Sequence, residues 1–312
     1  MFDAKPKSRL VVSAAVVLLA TITPQAFAAF IDNGIPSGSL GYFSVNMLSG
    51  GESQRAELSA KRAVSGDIHT ENVLWHYLSF INAGSGGFRL GDTTSATVAD
   101  GVATSSGSFV GSAGNSIDWR VRSTIPAAGT MMTSIFEFAA RDGTLGDIGL
   151  YQYLDEDLED FGDDVFLTRG SAAGGDLELF TLDGTEQYGV SHGGAYSAAQ
   201  GLISSSFLGW AVGTYDNMRP RLTAGTQSVA PTGVFQDGLS SFLSPDLGVV
   251  YGPADIVSVL GWSVDASATS ATIVTTLGGV PEVADIVPDV PIPGSLSLLA
   301  LGLAGFRVTR KQ

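Results

Sequence analysis

The amino-acid sequence predicts an all-β protein whose body is an antiparallel β-sandwich. Forty glycines among 312 residues, with many serines and threonines between short apolar segments, favour numerous turns and strands over long helices. The segment SIDWRVRST at 116–124 alternates apolar and polar residues, so Ile117, Trp119 and Val121 fall on one face and the charged residues on the other. No repeat of 20–50 residues is visible, which argues against a propeller or a solenoid.

Nine segments have the length and pattern of strands, and Gly, Asp and Ser separate them. In order along the chain they are GYFSVNML at 41–48, VLWHYLSFI at 73–81, SIDWRVRST at 116–124, SIFEFAA at 134–140, IGLYQYL at 148–154, VFLTRG at 165–170, LELFTL at 177–182, DIVSVLGWSVD at 255–265 and SATIVTTL at 270–277. The region 195–250 has a less regular pattern, in which AYSAAQGLISSSF at 195–207 is compatible with a short helix. Short strands of this number predict two packed antiparallel sheets.

The N-terminal segment has the pattern of a secretory signal peptide. Lys5, Lys7 and Arg9 precede an apolar run from 10 to 20, and the small residues around Phe27 suit signal peptidase. The alternative is a retained membrane anchor, but the run is shorter than the roughly 20 residues that span a bilayer. We therefore predict that residues 1–28 are removed and that residues 29–280 form the body.

Composition excludes several classes of function. The chain has no cysteine, so disulfides, cysteine metal sites and a thiol nucleophile are absent. Its 16 basic and 31 acidic residues give a net charge of −15, and removal of residues 1–28 makes it −17. A surface this acidic repels nucleic acid and anionic lipid, so we expect neither as a partner.

The C-terminal region combines a linker, a short apolar run and cations. Four prolines between 281 and 293 predict an extended linker. The run 294–306 is predicted to form a short hydrophobic helix of about 20 Å, less than the ~30 Å hydrocarbon core. Arg307, Arg310 and Lys311 follow it and favour a cytoplasmic end, so the segment 294–312 is expected to insert transiently in the inner membrane.

This tail resembles that of PEP-CTERM proteins of Gram-negative bacteria, which have Val-Pro-Glu-Pro, a short Leu- and Gly-rich segment and a basic cluster. The matching residues are Val290, Pro291, Pro293, the run 295–306 and the three terminal cations. Ile292 replaces the glutamate, and Val308 and Thr309 interrupt the cations. The resemblance implies sorting by exosortase to the cell surface or the extracellular matrix. The segments at 150–186 and 255–262 also resemble an uncharacterised group of exported β-rich proteins.

The pentapeptide GVSHG at 189–193 matches the G-x-S-x-G pattern of a nucleophile elbow around Ser191. In α/β-hydrolases the catalytic histidine follows the serine, whereas no histidine follows His192 here. The body also lacks the strand–helix alternation that forms an elbow. We therefore interpret the match as coincidental, predict a tight turn between strands at this point, and expect the body not to be an enzyme.

The segment LDEDLEDFGDD at 154–164 contains seven carboxylates and no basic residue. Crowded oxygen ligands suit Ca²⁺, so Asp155, Asp157, Glu159 and Asp160 are candidate calcium ligands. The spacing does not fit an EF-hand, because the sixth position from Asp155 is not glycine and the twelfth is Phe166. The alternative is a solvated acidic loop.

Two classes of function remain from the sequence. The first is an exported, non-catalytic surface or matrix protein that signal peptidase and exosortase process, with exopolysaccharide as a candidate partner. The second is a carbohydrate-binding or carbohydrate-active sandwich, with calcium as an optional ligand. Exposure of one or two of the tryptophans Trp75, Trp119, Trp210 and Trp262 favours the second class, whereas their apolar surroundings predict that they lie in the core.

Overall fold

The computed structural model describes residues 29–83, 87–92, 94–156, 158, 163–214 and 255–282. The described chain forms 17 strands, in order β1 Ala29–Asp32, β2 Phe43–Met47, β3 Ser53–Lys61, β4 Ile68–Asn72, β5 His76–Asn82, β6 Gly87–Arg89, β7 Thr97–Ala99, β8 Val102–Val110, β9 Ser116–Thr124, β10 Met131–Ala140, β11 Gly149–Asp155, β12 Val165–Arg169, β13 Glu178–Leu182, β14 Gly189–Gly194, β15 Ser205–Thr214, β16 Ile256–Val264 and β17 Ser270–Val280. The predicted signal peptide, most of the linker and the C-terminal tail lie outside the described residues.

The strands form two antiparallel sheets, which confirms the predicted all-β sandwich. Sheet 1 has the order β1-β2-β3-β5-β11-β16-β15, with β4 paired to β3 and β6 paired to β5. Sheet 2 has the order β12-β13-β14-β17-β10-β9-β8-β7. Each sheet therefore combines strands that are distant in the sequence, such as β5 with β11 and β10 with β17.

The core lies between the sheets and follows the alternation of the strands. In β9, Ile117, Trp119 and Val121 are buried, whereas Arg120 between them is exposed. In the opposite sheet, the inward face of β16 contributes Trp262 to the core. Trp262 is fully buried and donates a hydrogen bond from Nε1 to the Ala195 carbonyl at 2.8 Å. Apolar side chains on alternate positions thus supply the burial that joins the two sheets.

The outer faces of the two sheets differ. On sheet 1, outward side chains of the central strands β5, β11 and β16 are also buried, among them Phe80, Tyr153 and Val259. On sheet 2, the outward positions of β8, β9 and β10 are at least partly exposed and mostly polar, although Val110, Met131 and Ile135 are among them. An open polar surface is therefore a property of sheet 2.

Regular α-helix does not occur in the described residues. The segment 195–207, compatible with a short helix from its sequence, contains only a 3-10 turn at Ala198–Gln200 before β15 begins at Ser205. Gly201 adopts a left-handed conformation (φ 104°) and ends that turn. No helix among the described residues has the length and apolar character needed to cross a membrane.

Candidate functional site

The first candidate site lies at the end of β11, where it meets the start of β5. The backbone N–H of Trp75 donates to the Asp155 carbonyl at 2.9 Å, and His76 pairs with Asp155 in the sheet register. Long-range pairing therefore brings a residue of the acidic segment next to a tryptophan 80 positions earlier. We call Trp75, His76, Tyr153 and Asp155 the Trp75 cluster.

Trp75 is the exposed member of this cluster. Its exposed fraction is 55%, compared with 8% for Trp119 and Trp210 and 0% for Trp262. The prediction that the tryptophans lie in the core is thus confirmed for three of them and wrong for Trp75. Trp75 was missed because VLWHYLSFI is apolar except for His76 and Ser79 and does not show where the strand starts. The strand begins at His76, which leaves the indole outside the regular sheet.

The other members of the cluster are held in place by one another. Asp155 is buried, accepts a hydrogen bond from the Tyr153 hydroxyl at 3.2 Å and lies 3.4 Å from Nδ1 of His76. The His76 ring packs edge-to-face against Trp75, with centroids 5.7 Å apart. Asp155 therefore positions His76, and the indole of Trp75 is the exposed group of the cluster.

The remaining candidate calcium ligands cannot be placed, because Asp157, Glu159 and Asp160 lie outside the described residues. The neighbouring Glu156 is only 5% exposed, and neither of its carboxyl oxygens has a hydrogen-bond partner in the described structure. Burial, followed by the negative charge of Asp164, raises the pKa of Glu156 well above its ordinary value. Among the described residues no three acidic or histidine side chains converge to hold a metal, so calcium binding stays a prediction.

The pentapeptide around Ser191 lies within β14 rather than in a turn, so the predicted turn is wrong. Ser191 pairs with Phe180 on one side and Gly278 on the other, and its side chain is buried. Ser191 and His192 point to opposite faces because neighbours alternate in a strand. His192 is buried, with Nδ1 3.0 Å from the hydroxyl of Ser258.

Glycines are required in β14 for close packing. A Cβ on Gly189 would lie 2.0 Å from the Thr181 carbonyl oxygen of β13, and one on Gly193 would lie 2.8 Å from Thr276 Oγ1 of β17. The turn comes earlier, where the Asp183 N–H donates to the Tyr188 carbonyl. The glycines that matched the motif therefore allow β14 to pack closely against its neighbouring strands.

The second candidate site is an open groove of about 710 Å³ on the outer face of sheet 2. We call it the β9 groove; its outward-facing lining is Ser106, Ser108, Asp118, Arg120, Glu137, Ala139, Arg141, Ser270 and Thr272. The sheet register aligns these residues in rows across β8, β9, β10 and β17. The row that contains Asp118 also contains Ser108, Ala139 and Ser270. These three side chains are small, so the surface of the sheet is recessed at this row.

Ion pairs connect the charged residues of the groove. Arg141 donates two hydrogen bonds to Asp118 from Nε and one from a terminal nitrogen, at 2.8–3.0 Å. Glu137 forms an ion pair with Arg120 at 3.1 Å and another, at 3.2 Å, with Arg122, the next outward residue of β9 beyond the groove lining. The Arg141 guanidinium lowers the pKa of Asp118, so this carboxyl is ionised at neutral pH. Two carboxylates held by arginines in this way suit ligand binding better than proton donation to a glycosidic oxygen.

No protein-family model and no curated protein matches the chain. Among solved structures, the chain is similar to a bacterial glucoamylase in complex with acarbose, with a TM-score of 0.39 and 12% identity over 86% of this chain and 34% of that one. It is also similar to a GalM/aldose epimerase homologue from C. elegans, with a TM-score of 0.42 and 8% identity over 81% and 99% of the two chains. The chain thus spans about a third of the length of the glucoamylase.

These similarities correct one expectation. The body was predicted not to be an enzyme, and the similar structures are of a glucoamylase and an aldose epimerase homologue. That prediction is therefore withdrawn. With TM-scores below 0.5, the similarities assign no activity, substrate or site residue to this chain.

Proposed function

We propose that the protein is an exported surface protein whose β-sandwich binds carbohydrate at the Trp75 cluster. The observation that supports this proposal is the exposure of Trp75 beside a fixed imidazole, while the other three tryptophans are buried. A large aromatic side chain normally gains free energy by burial, so an exposed indole is more informative than a buried one. It leaves an apolar surface available to a ligand.

The chemistry of the cluster fits a sugar ring. The flat indole offers a surface to the C–H groups on one side of a pyranose, and the His76 ring that packs against it supports the indole from the side. Asp155 and Tyr153 hold His76 in position, so little side-chain entropy is lost on binding. A flat aromatic group with a few fixed polar groups is a common composition of small-ligand sites.

The proposed location follows from the two ends of the sequence. The pattern at 1–28 supports export, and the resemblance of 290–312 to a PEP-CTERM tail supports sorting by exosortase at the cell surface. Polysaccharide is the abundant polymer in such a setting, so a sugar-binding surface and a surface address are consistent with each other.

The test is retention on immobilised polysaccharides, with the mature chain as wild type and as Trp75→Ala. We expect wild type to be retained and Trp75→Ala to bind at least about fivefold more weakly, since an aromatic contact contributes roughly 0.5–1.5 kcal/mol beyond its buried area. Phe30→Ala, which removes an exposed aromatic side chain from β1, is the matched control and should bind as wild type.

Equal retention of Trp75→Ala and wild type would contradict the proposed site, and no retention on any polysaccharide would contradict carbohydrate binding. Both variants change exposed side chains, so their melting temperatures should stay close to wild type. Release of reducing sugar, measured on the same samples, reports whether a bound polysaccharide is also cleaved.

A further inference from the structure

The β9 groove differs in charge from the rest of the molecule. The whole chain has 31 acidic and 16 basic residues, yet Arg120, Arg122 and Arg141 face only two carboxylates here, Asp118 and Glu137. An anionic ligand is repelled by the protein in general and is attracted most where cations are in excess. The groove is therefore a place where an acidic ligand can approach.

The arginines keep donors available despite their ion pairs. Arg120 and Arg122 share the single carboxylate of Glu137, so two guanidinium groups divide the acceptors of one carboxylate. The Arg120 and Arg141 side chains are more than half exposed, and the Arg122 side chain is 40% exposed. Each guanidinium has five N–H donors in a planar arrangement that matches a carboxylate.

The spacing of the groups favours an extended ligand. Arg120 and Arg122 lie two positions apart on one face of β9, about 7 Å along the strand. Asp118, which is paired with Arg141, is the next outward residue of β9 on the other side of Arg120. The hydroxyl groups of Ser106 and Ser108 lie in β8, and that of Thr272 lies in β17. The groove thus presents cations in a row with hydroxyl groups beside them.

We propose that the β9 groove binds the carboxylate groups of an acidic, uronate-containing polysaccharide through Arg120 and Arg122. The choice of a sugar rather than a peptide as the carrier of the carboxylates rests on the proposed function. A ligand carboxylate competes with Glu137 for the two guanidinium groups, so Glu137 limits the affinity. The site is separate from the Trp75 cluster, which lies at the end of β5 and β11 in the other sheet.

The experiment measures affinity for polygalacturonate at low ionic strength, with dextran as the neutral polymer and poly-glutamate as the acidic peptide. We expect Arg120→Gln and Arg122→Gln to weaken binding of polygalacturonate about tenfold each, because charge-assisted hydrogen bonds to a carboxylate are lost. Glu137→Gln should strengthen binding severalfold, since it frees both guanidinium groups. Added salt should weaken wild-type binding, because the groove is open to solvent.

The matched control is Arg55→Gln, which removes an exposed arginine paired with Glu57 in β3 and changes the net charge equally. Equal weakening by Arg55→Gln would overturn the proposal in favour of a general charge effect, as would unchanged affinity in the groove variants. Tighter binding of poly-glutamate than of polygalacturonate would overturn the choice of polysaccharide. Trp75→Ala separates the two sites: in its background Arg120→Gln and Arg122→Gln should weaken polygalacturonate binding by the same factor as in wild type, even if the proposed sugar site at Trp75 fails.

Discussion

Two buried ionisable side chains of this sandwich, Glu52 and His192, differ in their hydrogen-bond partners. Glu52 is fully buried but paired: it accepts hydrogen bonds from Nε of Arg89 and from the backbone N–H groups of Ser79 and Gly91. His192 is equally buried, and its Nε2 has no hydrogen-bond partner in the described structure. Burial raises the pKa of Glu52 and Arg89 opposes this effect, whereas the His192 imidazole has no counter-charge and stays neutral.

His192 should make stability depend on pH. Burial lowers its pKa from 6.5 to about 3, so between these values the unfolded chain binds a proton that the native state does not. The free energy of unfolding therefore falls as pH drops through this range, by up to about 1.4 kcal/mol per pH unit from this residue. Glu156, with a raised pKa, has the opposite slope because its native state binds the extra proton.

The measurement is urea unfolding at pH 7 and at pH 5, for wild type and His192→Gln. The difference between the two pH values should shrink in the variant, because the neutral amide cannot titrate; its overall loss of stability cancels in this difference. His69→Gln, in exposed β4, is the matched control. An unchanged difference in His192→Gln would show that His192 is protonated in the native state or that it titrates alike in both states.

At the level of elements, the sequence predicted the central strands well. All nine predicted strands are confirmed, and SIDWRVRST at 116–124 coincides with β9. The strands that were not predicted have weak patterns: β8 contains VATSSGSFV, in which small polar residues dominate, and β14 is half glycine. Such segments become strands because β9 and β17 offer them partners, and those contacts are tertiary.

One glycine in β8 illustrates this dependence between elements. Gly107 lies opposite Trp119 in the register of β8 and β9, and a Cβ on Gly107 would lie 2.7 Å from the indole. The absence of a side chain therefore lets the Trp119 ring cover the inner face of β8. Trp119 also forms part of the floor of the β9 groove.

Gly107→Ala should displace the ring and destabilise the protein by about 1–3 kcal/mol, the usual cost of overpacking. Ser106→Ala is the matched control, since Ser106 points outward and its change should stay within about 0.5 kcal/mol. Thermal and urea unfolding measure both. Equal stability of Gly107→Ala and wild type would mean that the Trp119 ring moves aside without loss of packing.

For the whole molecule, the two candidate sites were beyond the reach of sequence patterns. The acidic segment was identified as a site region, but its neighbour Trp75 is 80 positions away and joins it only through the pairing of β5 with β11. The β9 groove combines residues of four strands from 106 to 272. The alternation of apolar and polar residues predicts which face of a strand each side chain occupies. The order of the strands in the sheet decides which side chains become neighbours. That order follows from the packing of the complete core.

The proposed cell-surface location depends on the tail, and each physical part of the tail makes a separate prediction. We expect the run 294–306 to partition into the bilayer, at about 0.8 kcal/mol per buried CH₂, and Arg307, Arg310 and Lys311 to resist translocation. Deletion of 294–312 should give a folded protein that the cell envelope no longer retains, because the described sandwich ends at residue 282. Neutral replacements of the three cations should act similarly but more mildly. Ile292→Glu restores the Pro-Glu-Pro of the family and should increase processing if exosortase recognises the tail. Cell fractionation measures all three variants, and full retention of the deletion variant in the envelope would assign the address to the body instead.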